Sequence, residues 1–524
     1  TLFRSVIIWQ DTRFANDGYR IFFQFLNPDG TVDLEPNGRP VTESVAGHQL
    51  TPNAVVTPDD QIAIIWEDTR GSDPNVYAQL ISADGQRLWG DFGIKLTNSV
   101  SIRQKDPFVS YYNGSFYFGW SDYRPLGTNF FYYIYGQRIY NNQKMWGPDG
   151  VLISFLPQGN LNNECTLYSL AKNYYVWERI NPNVDSRTIW VKRVAEDGSA
   201  LDGWTDEGLQ ASTYNDYDTK QMYPEAALTP EGIFVMWRDL RQDFLINYWG
   251  QHISENGTRL WDPLGVNLAD NQREQEQASI AVNSSGITYA WCENIAGMQD
   301  IMAQKYSFPG EPLWGNGGYY VVQKDSTQQY LSLSSFPDNN YIISWTDYFG
   351  TENDLYYRYI SQDGQMMGDG NGEILCNAVR SQYQPKNAVL NDHAYIIWAD
   401  GRSSGKTEIL GLYAQKVSGT NAVSDNSAPS LQSLSVQQNY PNPFNPETTI
   451  SFTLKDNTPS LKLKIYNIKG QLVKTLYNGA LPKGQHHYVW NGTDESDKQV
   501  GNGIYFYSVS NEKDTQIRKM VLMK

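Results

Sequence analysis

Three residue types recur at fixed offsets in this 524-residue chain: a Trp, an Asp two positions later and an Arg two positions after that. An acid beside a base at the end of an apolar run can do general acid–base work, or it can close a salt bridge around an indole. The triplet Trp66, Asp68 and Arg70, in "IAIIWEDTR", reads alone as a fragment of an active site. It has relatives. The sets Trp9, Asp11, Arg13; Trp120, Asp122, Arg124; Trp237, Asp239, Arg241; and Trp398, Asp400, Arg402 repeat it, and Trp345 with Asp347 keeps two of its three parts. Trp177 ("WERIN") and Trp291 ("WCENI") head degenerate copies, and the eight Trp residues are spaced 53–60 positions apart. Catalysis uses one site whose groups are tuned apart. Near-copies repeated along a chain imply repeated structural work instead. The Trp would pack between units, the Asp would accept backbone N–H bonds in the following loop, and the Arg would pair with the Asp or a nearby carbonyl.

Other residues able to do chemistry are sparse. The five histidines, His48, His252, His393, His486 and His487, form no metal-binding spacing, and the last two, adjacent on an expected strand, point to opposite faces. Cys165, Cys292 and Cys376 are too far apart for a zinc knuckle and odd in number, so they read as free structural thiols. "GDGNGE", Gly368 to Glu373, mimics a calcium loop but aligns with the inter-strand turns "WGPDG" and "WDPLG". No catalytic residue, metal ligand or cofactor is expected, apart from weak Ca²⁺ on acidic loops such as "NDYDTK" and "TDESDKQ". A glycosidase needs two carboxylates about 5–9 Å apart or a Tyr with an arginine cluster, and the sequence singles out neither. Net charge is -16, which argues against nucleic acid as a partner. No uninterrupted apolar window is long enough for a transmembrane helix.

The elements that would position these residues are strands. Each unit holds a segment often marked by Pro (Pro52, Pro107, Pro224, Pro385), then the Trp strand, then a strand such as "VYAQLI" or "LYAQKV". An Asp-Gly or Asn-Gly turn and a short strand such as "GIKLT" complete it. A sheet of about four strands cannot bury both faces alone, and radial repetition gives a β-propeller over residues 1–418. The Trp strand occurs eight times, so eight blades are favoured. The strand before it is missing from the first unit and the final short strand from the last, so seven blades with a surplus hairpin is the alternative. The missing first strand suggests that a segment in cis or in trans completes blade one by strand addition. The most aromatic loops, "SDYRPLGTNFFYYIYG" and "RDLRQDFLINYWG", are the expected contact surface.

The repeat resembles the Trp-Asp-Arg repeats of secreted bacterial propellers. Its turn "ADGQRLWG" loosely resembles the Asp-box of sialidase-like propellers, a structural hairpin that brings no catalysis with it.

Residues 419–435 are small, polar and unpatterned, a linker. Residues 436–524 alternate strands with Gly and Asn/Asp turns and are expected to form a small Ig-like β-sandwich. "NYPNPFNP" (Asn439, Tyr440, Pro441, Asn442, Pro443, Phe444, Asn445, Pro446), "IYNIKGQLV" and "GNGIYFYSV" resemble the C-terminal sorting domain of the type IX secretion system. That resemblance implies the type IX machinery as a partner, and export to the extracellular space or outer surface of a Gram-negative bacterium. The prolines stiffen the entry to the sandwich, and Tyr440 and Phe444 are expected to plug into it. Together these readings predict a non-enzymatic surface protein acting in adhesion, scaffolding or self-assembly. The alternative is a propeller that binds or cleaves polysaccharide, and a surface-protein ligand fits the first reading equally.

Overall fold

In the computed structural model the chain is all-β, and no helix occurs among the described residues. The structure describes residues 5–523, apart from 14–17, 44–45, 99–102, 127–128, 156–163, 215–219, 242–244, 270–272, 350–351, 402–410, 419–433, 437–438, 455–456, 468–470, 512–514 and the single positions 36, 72, 182, 296, 316, 369, 379, 440 and 443. Two compact units meet in the chain at Asn421 and Ala422.

The first unit is a β-propeller of eight antiparallel sheets. Sheet two shows the plan. Its inner strand is Gln49–Val56, its second Ile62–Asp68, its third Asn75–Ile81 and its outer Ile94–Lys95, paired in that order. Every residue of Ile62–Asp68 is buried. The strand has neighbouring sheets on both faces, which is why its sequence is a continuous apolar run and not an alternation. The key Trp packs on the preceding sheet. Trp66 clusters with Ile21, Phe23, Phe25 and Val41 of sheet one, and Trp120 with Ala63, Ile65 and Val76 of sheet two.

Close packing around that Trp explains a glycine. Gly93, just before the outer strand, has φ +69, and a Cβ there would lie 2.8 Å from the Trp66 ring. Gly208, Gly265 and Gly318 press on Trp177, Trp237 and Trp291 in the same way. A side chain at these positions meets both a backbone preference and a ring.

Sheets one and eight are each one strand short among the described residues. Sheet one holds Ser5–Asp11, Arg20–Leu26 and Arg39–Pro40, with no inner strand, so Ser5–Asp11 pairs on one edge only. Sheet eight holds Gln382–Leu390, His393–Asp400 and Gly411–Ser418, with no outer strand. The eighth Trp strand is the middle of a sheet with its own inner strand and is no surplus hairpin.

The second unit is an Ig-like sandwich. Leu434–Val436, Thr448–Leu454 and Gly484–Trp490 form one sheet; Leu472–Leu481, Thr458–Asn467, Gly503–Ser510 and Thr515–Leu522 form the other. Thr448–Leu454 alternates buried and half-buried residues, the period of a strand with one face inward. The core gathers Phe452, Leu463, Ile465, Trp490, Tyr507 and Met520. The entry motif is built into it. Phe444 is 2% exposed, its N–H donates to Val521 O at 2.9 Å, and its carbonyl accepts from Met523 N at 3.0 Å. Asn442 Oδ1 accepts from Val521 N at 2.8 Å, and buried Asn439 donates to Thr448 Oγ1 at 2.8 Å. Tyr440 and Pro443 lie outside the described residues.

Candidate functional site

The Trp-Asp-Arg residues form one network per sheet. Trp66 Nε1 donates to Asp68 Oδ2 at 2.7 Å, and Asp68 Oδ1 accepts the Arg70 backbone N–H at 2.9 Å. The Arg70 guanidinium returns to Asp68 at 2.6 Å, donates to Phe92 O at 3.0 Å and lies 4.0 Å from the centroid of the Tyr77 ring on the third strand. Sheet five repeats this with Trp237, Asp239 and Arg241 over Trp249, and sheet three with Trp120, Asp122 and Arg124 over Tyr135. In sheet one, Trp9 and Arg13 hold Asp11, whose carboxyl sits below the usual range: burial opposes the shift but is outweighed by the hydrogen bonds from Arg13 and Trp9. Sheet seven lacks the Arg, and Lys324 takes its place, 2.8 Å from Asp347 and over the Tyr356 ring. Trp398 donates to Asp400 at 2.9 Å; Arg402 lies outside the described residues. Every carboxylate here is occupied by an indole, a cation or a backbone amide.

Two further repeated features escape the motif reading. The inner strand opens with a Gln in six sheets: Gln49, Gln104, Gln221, Gln275, Gln328 and Gln382. Gln104 Nε2 donates to Asp122 of its own sheet at 3.0 Å, while its Oε1 accepts from Val76 N of sheet two at 2.9 Å. Gln49 and Gln275 likewise accept from Ile21 N and Tyr248 N of the preceding sheets. Just after the Gln comes a β-bulge, with a non-glycine residue in the left-handed region: Thr51, Asp106, Tyr223, Gln277, Tyr330 and Gln384, at φ 40 to 54. The bulge turns a backbone N–H toward the preceding sheet, where Glu67 accepts from Asp106 N and Glu178 from Tyr223 N. Strained backbone of this kind persists only where surroundings hold it. The available signal was the Gln standing 16 or 17 residues before six of the eight Trp residues.

These bulges bring a cluster together at the end of the propeller that carries the Trp-Asp-Arg turns. Glu178, its side chain 1% exposed, accepts from Arg187 at 3.2 Å, and its carboxyl is raised, chiefly by burial. Tyr168 meets Tyr223 edge-on at 6.1 Å, and burial raises its phenol well above 10. Tyr223 is 49% exposed, with the Arg238 guanidinium 5.2 Å from its centroid, and Arg238 Nε donates to Tyr248 Oη at 3.1 Å. Glu225 lies on the inner strand of sheet five and is exposed. Partial desolvation by the surrounding protein raises its carboxyl from 4.5 to about 7, against the pull of Lys386 from sheet eight and of Arg238.

The raised carboxyl gives a pH prediction. A group whose folded value exceeds its unfolded value contributes stability below the unfolded value, and loses it as pH rises through the folded one. Glu225 therefore favours the fold below about 4.5 and ceases to do so by about 7. Melting temperature compared between wild type and Glu225→Gln should show the wild type losing ground across that window. Parallel curves would assign the trend to other groups.

The remaining expected residues lie as follows. Cys165, Cys292 and Cys376 are buried. His252 is buried against Thr229 and Phe308 O, and His486 and His487 make separate contacts with Pro482 O and Ser451. The aromatic stretch after Trp120 is no loop but a long hairpin, Ser115–Leu126 with Asn129–Tyr140, which carries the Tyr123–Tyr132 ring pair at 5.0 Å. The other aromatic stretch supplies Arg238 and Tyr248 to the cluster above. Of the two acidic loops, positions 215–219 lie outside the described residues. Among the described residues no group of three His, Cys, Asp or Glu side chains could hold a metal.

Residues 441–515 match the FlgD Ig-like domain family. No curated protein matches the chain. Among solved structures, PorZ of Porphyromonas gingivalis, described as an essential surface component of the type-IX secretion system, is similar at 12% identity, with 97% of this chain and 69% of that chain covered and a TM-score of 0.26. The β-propeller domain of the Trilobed protease from Pyrococcus furiosus is similar at 11% identity, over 71% of this chain and 95% of that one, TM-score 0.38. An α-L-arabinanase from Penicillium chrysogenum is similar at 10% identity, over 71% and 93%, TM-score 0.30. Likeness at this level concerns architecture and carries no activity across.

Proposed function

We propose that this chain is an exported protein of the outer surface or surroundings of a Gram-negative bacterium, whose propeller binds and assembles and does no chemistry. Adhesion, scaffolding or membership of an extracellular assembly are the roles that suit it. One observation carries the reading. The buried acids at the Trp-Asp-Arg end are committed to holding neighbouring sheets together, as Glu67 and Glu178 are. The accessible Glu225 faces two cations, Lys386 and Arg238, and no carboxylate is among the groups that shift it. Export would be directed by the C-terminal Ig-like unit through the type IX machinery, a reading supported by Asn439, Asn442 and Phe444 of its entry motif, which are built into that sandwich.

Export is tested by expressing the chain with and without residues 436–524 in a bacterium that has a type IX system, and assaying culture medium and cell surface. The full chain should reach the outside and the truncated one should stay within; equal export of both would sink the export reading. For assembly, electron microscopy of the full chain should show regular polymers or sheets, whereas monodisperse particles at high concentration count against it.

A second reading, a propeller that binds or cleaves glycans, is favoured by the exposed Tyr223 ring beside Arg238 and Glu225, an aromatic face with polar neighbours. Release of reducing sugar from polysaccharides by wild type and not by Glu225→Gln would establish it over the first.

A further inference from the structure

Sheet four breaks the repeated network at two places at once. Where other sheets put Asp or Glu two residues after the Trp, sheet four has Arg179; where six inner strands put Gln opposite that acid, it has Cys165. The Arg179 guanidinium lies 3.6 Å from the centroid of Trp190, the third-strand partner of Trp177. That is the seat taken by Arg70 over Tyr77, Arg124 over Tyr135 and Arg241 over Trp249. The cation is therefore in its usual position, although it comes from the residue that elsewhere supplies the anion.

In the other three sheets a carboxylate fills the space between that seat and the indole N–H, 2.7 to 2.9 Å from the Trp. Sheet four keeps both donors but has no carboxylate two residues after its Trp; Trp291 Nε1 and Trp345 Nε1 are also unpartnered, although their sheets keep the acid. Arg179 Nη1 donates outward to Glu207 at 2.6 Å. Its Nε and Nη2, and Trp177 Nε1, are buried without a protein partner. Arg179 is 6% exposed and Trp177 0%. Arg124 Nε is also unpartnered, but in sheet three the Asp122 carboxylate is beside it. Cys165 faces Arg179, yet burial holds its thiol protonated and so a weak acceptor. Buried N–H groups left without an acceptor are costly, and most so when they carry charge.

We propose that sheet four binds one small inorganic monoanion, of the size and chemistry of chloride, between Trp177 Nε1 and the Nε–Nη2 edge of Arg179, where a motif carboxylate stands in other sheets. A halide accepts N–H bonds from several directions and needs no donor group of its own, which matches a site made only of donors. Burial of both donors favours a small anion, and Arg179 shares its charge with the partly exposed Glu207 on its far side. The ion would be a structural part of the blade.

The test uses the full chain. After purification in potassium gluconate, melting temperature is followed as bromide or chloride replaces gluconate at constant ionic strength, and crystals grown in bromide are measured at the bromine edge. A saturable rise in melting temperature is expected, with an anomalous peak within hydrogen-bonding distance of Trp177 Nε1 and Arg179. The double variant Arg179→Asp, Asn181→Arg, which restores the common motif, should lose the saturable rise. Water alone at that position in bromide-grown crystals would overturn the proposal, as would an unchanged halide response in a folded double variant. Crystals of the wild type decide the matter even if the double variant fails to fold.

Discussion

Asp239→Ala is expected to destabilise the propeller by about 3–5 kcal/mol, the cost of removing one partner from a buried charge pair. Asp239 is 1% exposed and serves four donors: Trp237 Nε1 at 2.9 Å, the Arg241 backbone N–H at 2.9 Å, the Arg241 guanidinium at 2.5 Å and Gln221 Nε2 at 3.3 Å. The Arg241 side chain is 6% exposed, packed over Trp249, and cannot turn to water without giving up that ring. Its loss of a counter-ion is the larger part of the penalty. Asp239→Asn keeps an acceptor for the indole but removes the charge, and should fall between wild type and Asp239→Ala. Adding Arg241→Met to Asp239→Ala should recover part of the loss, because an apolar side chain tolerates that position better than an unpaired cation. The measurement is chemical denaturation of all four proteins. A loss below about 1 kcal/mol for Asp239→Ala would show the network to be ornamental at the level of a surface pair.

Trp66→Ala is expected to cost about 3–5 kcal/mol, the range for emptying a large buried aromatic site. Trp66 is fully buried, sits among Ile21, Phe23 and Phe25 of the preceding sheet, and is pressed by Gly93. The cavity cannot close easily, since sheets on both sides are held by their own networks. Trp9 has the same motif neighbours, but its strand is only half-buried throughout. Trp9→Ala should therefore cost less than half as much. Thermal and denaturant unfolding of the two variants side by side makes the comparison. Equal losses would mean that the motif hydrogen bonds dominate, and not inter-sheet packing.

Much of the architecture was legible because it is local. Strand period, turn residues and a Trp at nearly constant spacing are set within stretches of ten to sixty residues, and they reach the propeller and the Ig-like unit without tertiary information. The long hairpin after Trp120 was misread as a loop because its polar and aromatic residues look alike in either state. Only pairing, Phe131 with Arg124 and Tyr132 with Tyr123, makes it a strand. The pattern "GIKLT" was visible, but the reason for its Gly was not. That reason is the Trp66 ring, brought against Gly93 by the folding of two strands over one another.

The chain by itself thus determined the strand-rich repeat, its eight Trp strands with eight blades favoured over seven, and the pairing of Arg with the Asp two residues before it, such as Arg70 with Asp68. Tertiary structure alone decided what crosses from sheet to sheet. Gln104 reaches Val76 of the sheet before it, Glu178 meets the Tyr223 amide, and Glu225 feels Lys386 from three sheets away. Those contacts depend on register and on a bulge that redirects one backbone N–H; the recurring Gln marks where they begin but not which sheet they reach. The same distinction separates the two readings of Arg179. Along the chain it is a degenerate letter in a worn repeat; in the folded blade it is a buried cation seated where its neighbours keep theirs, with two of its nitrogens unpartnered.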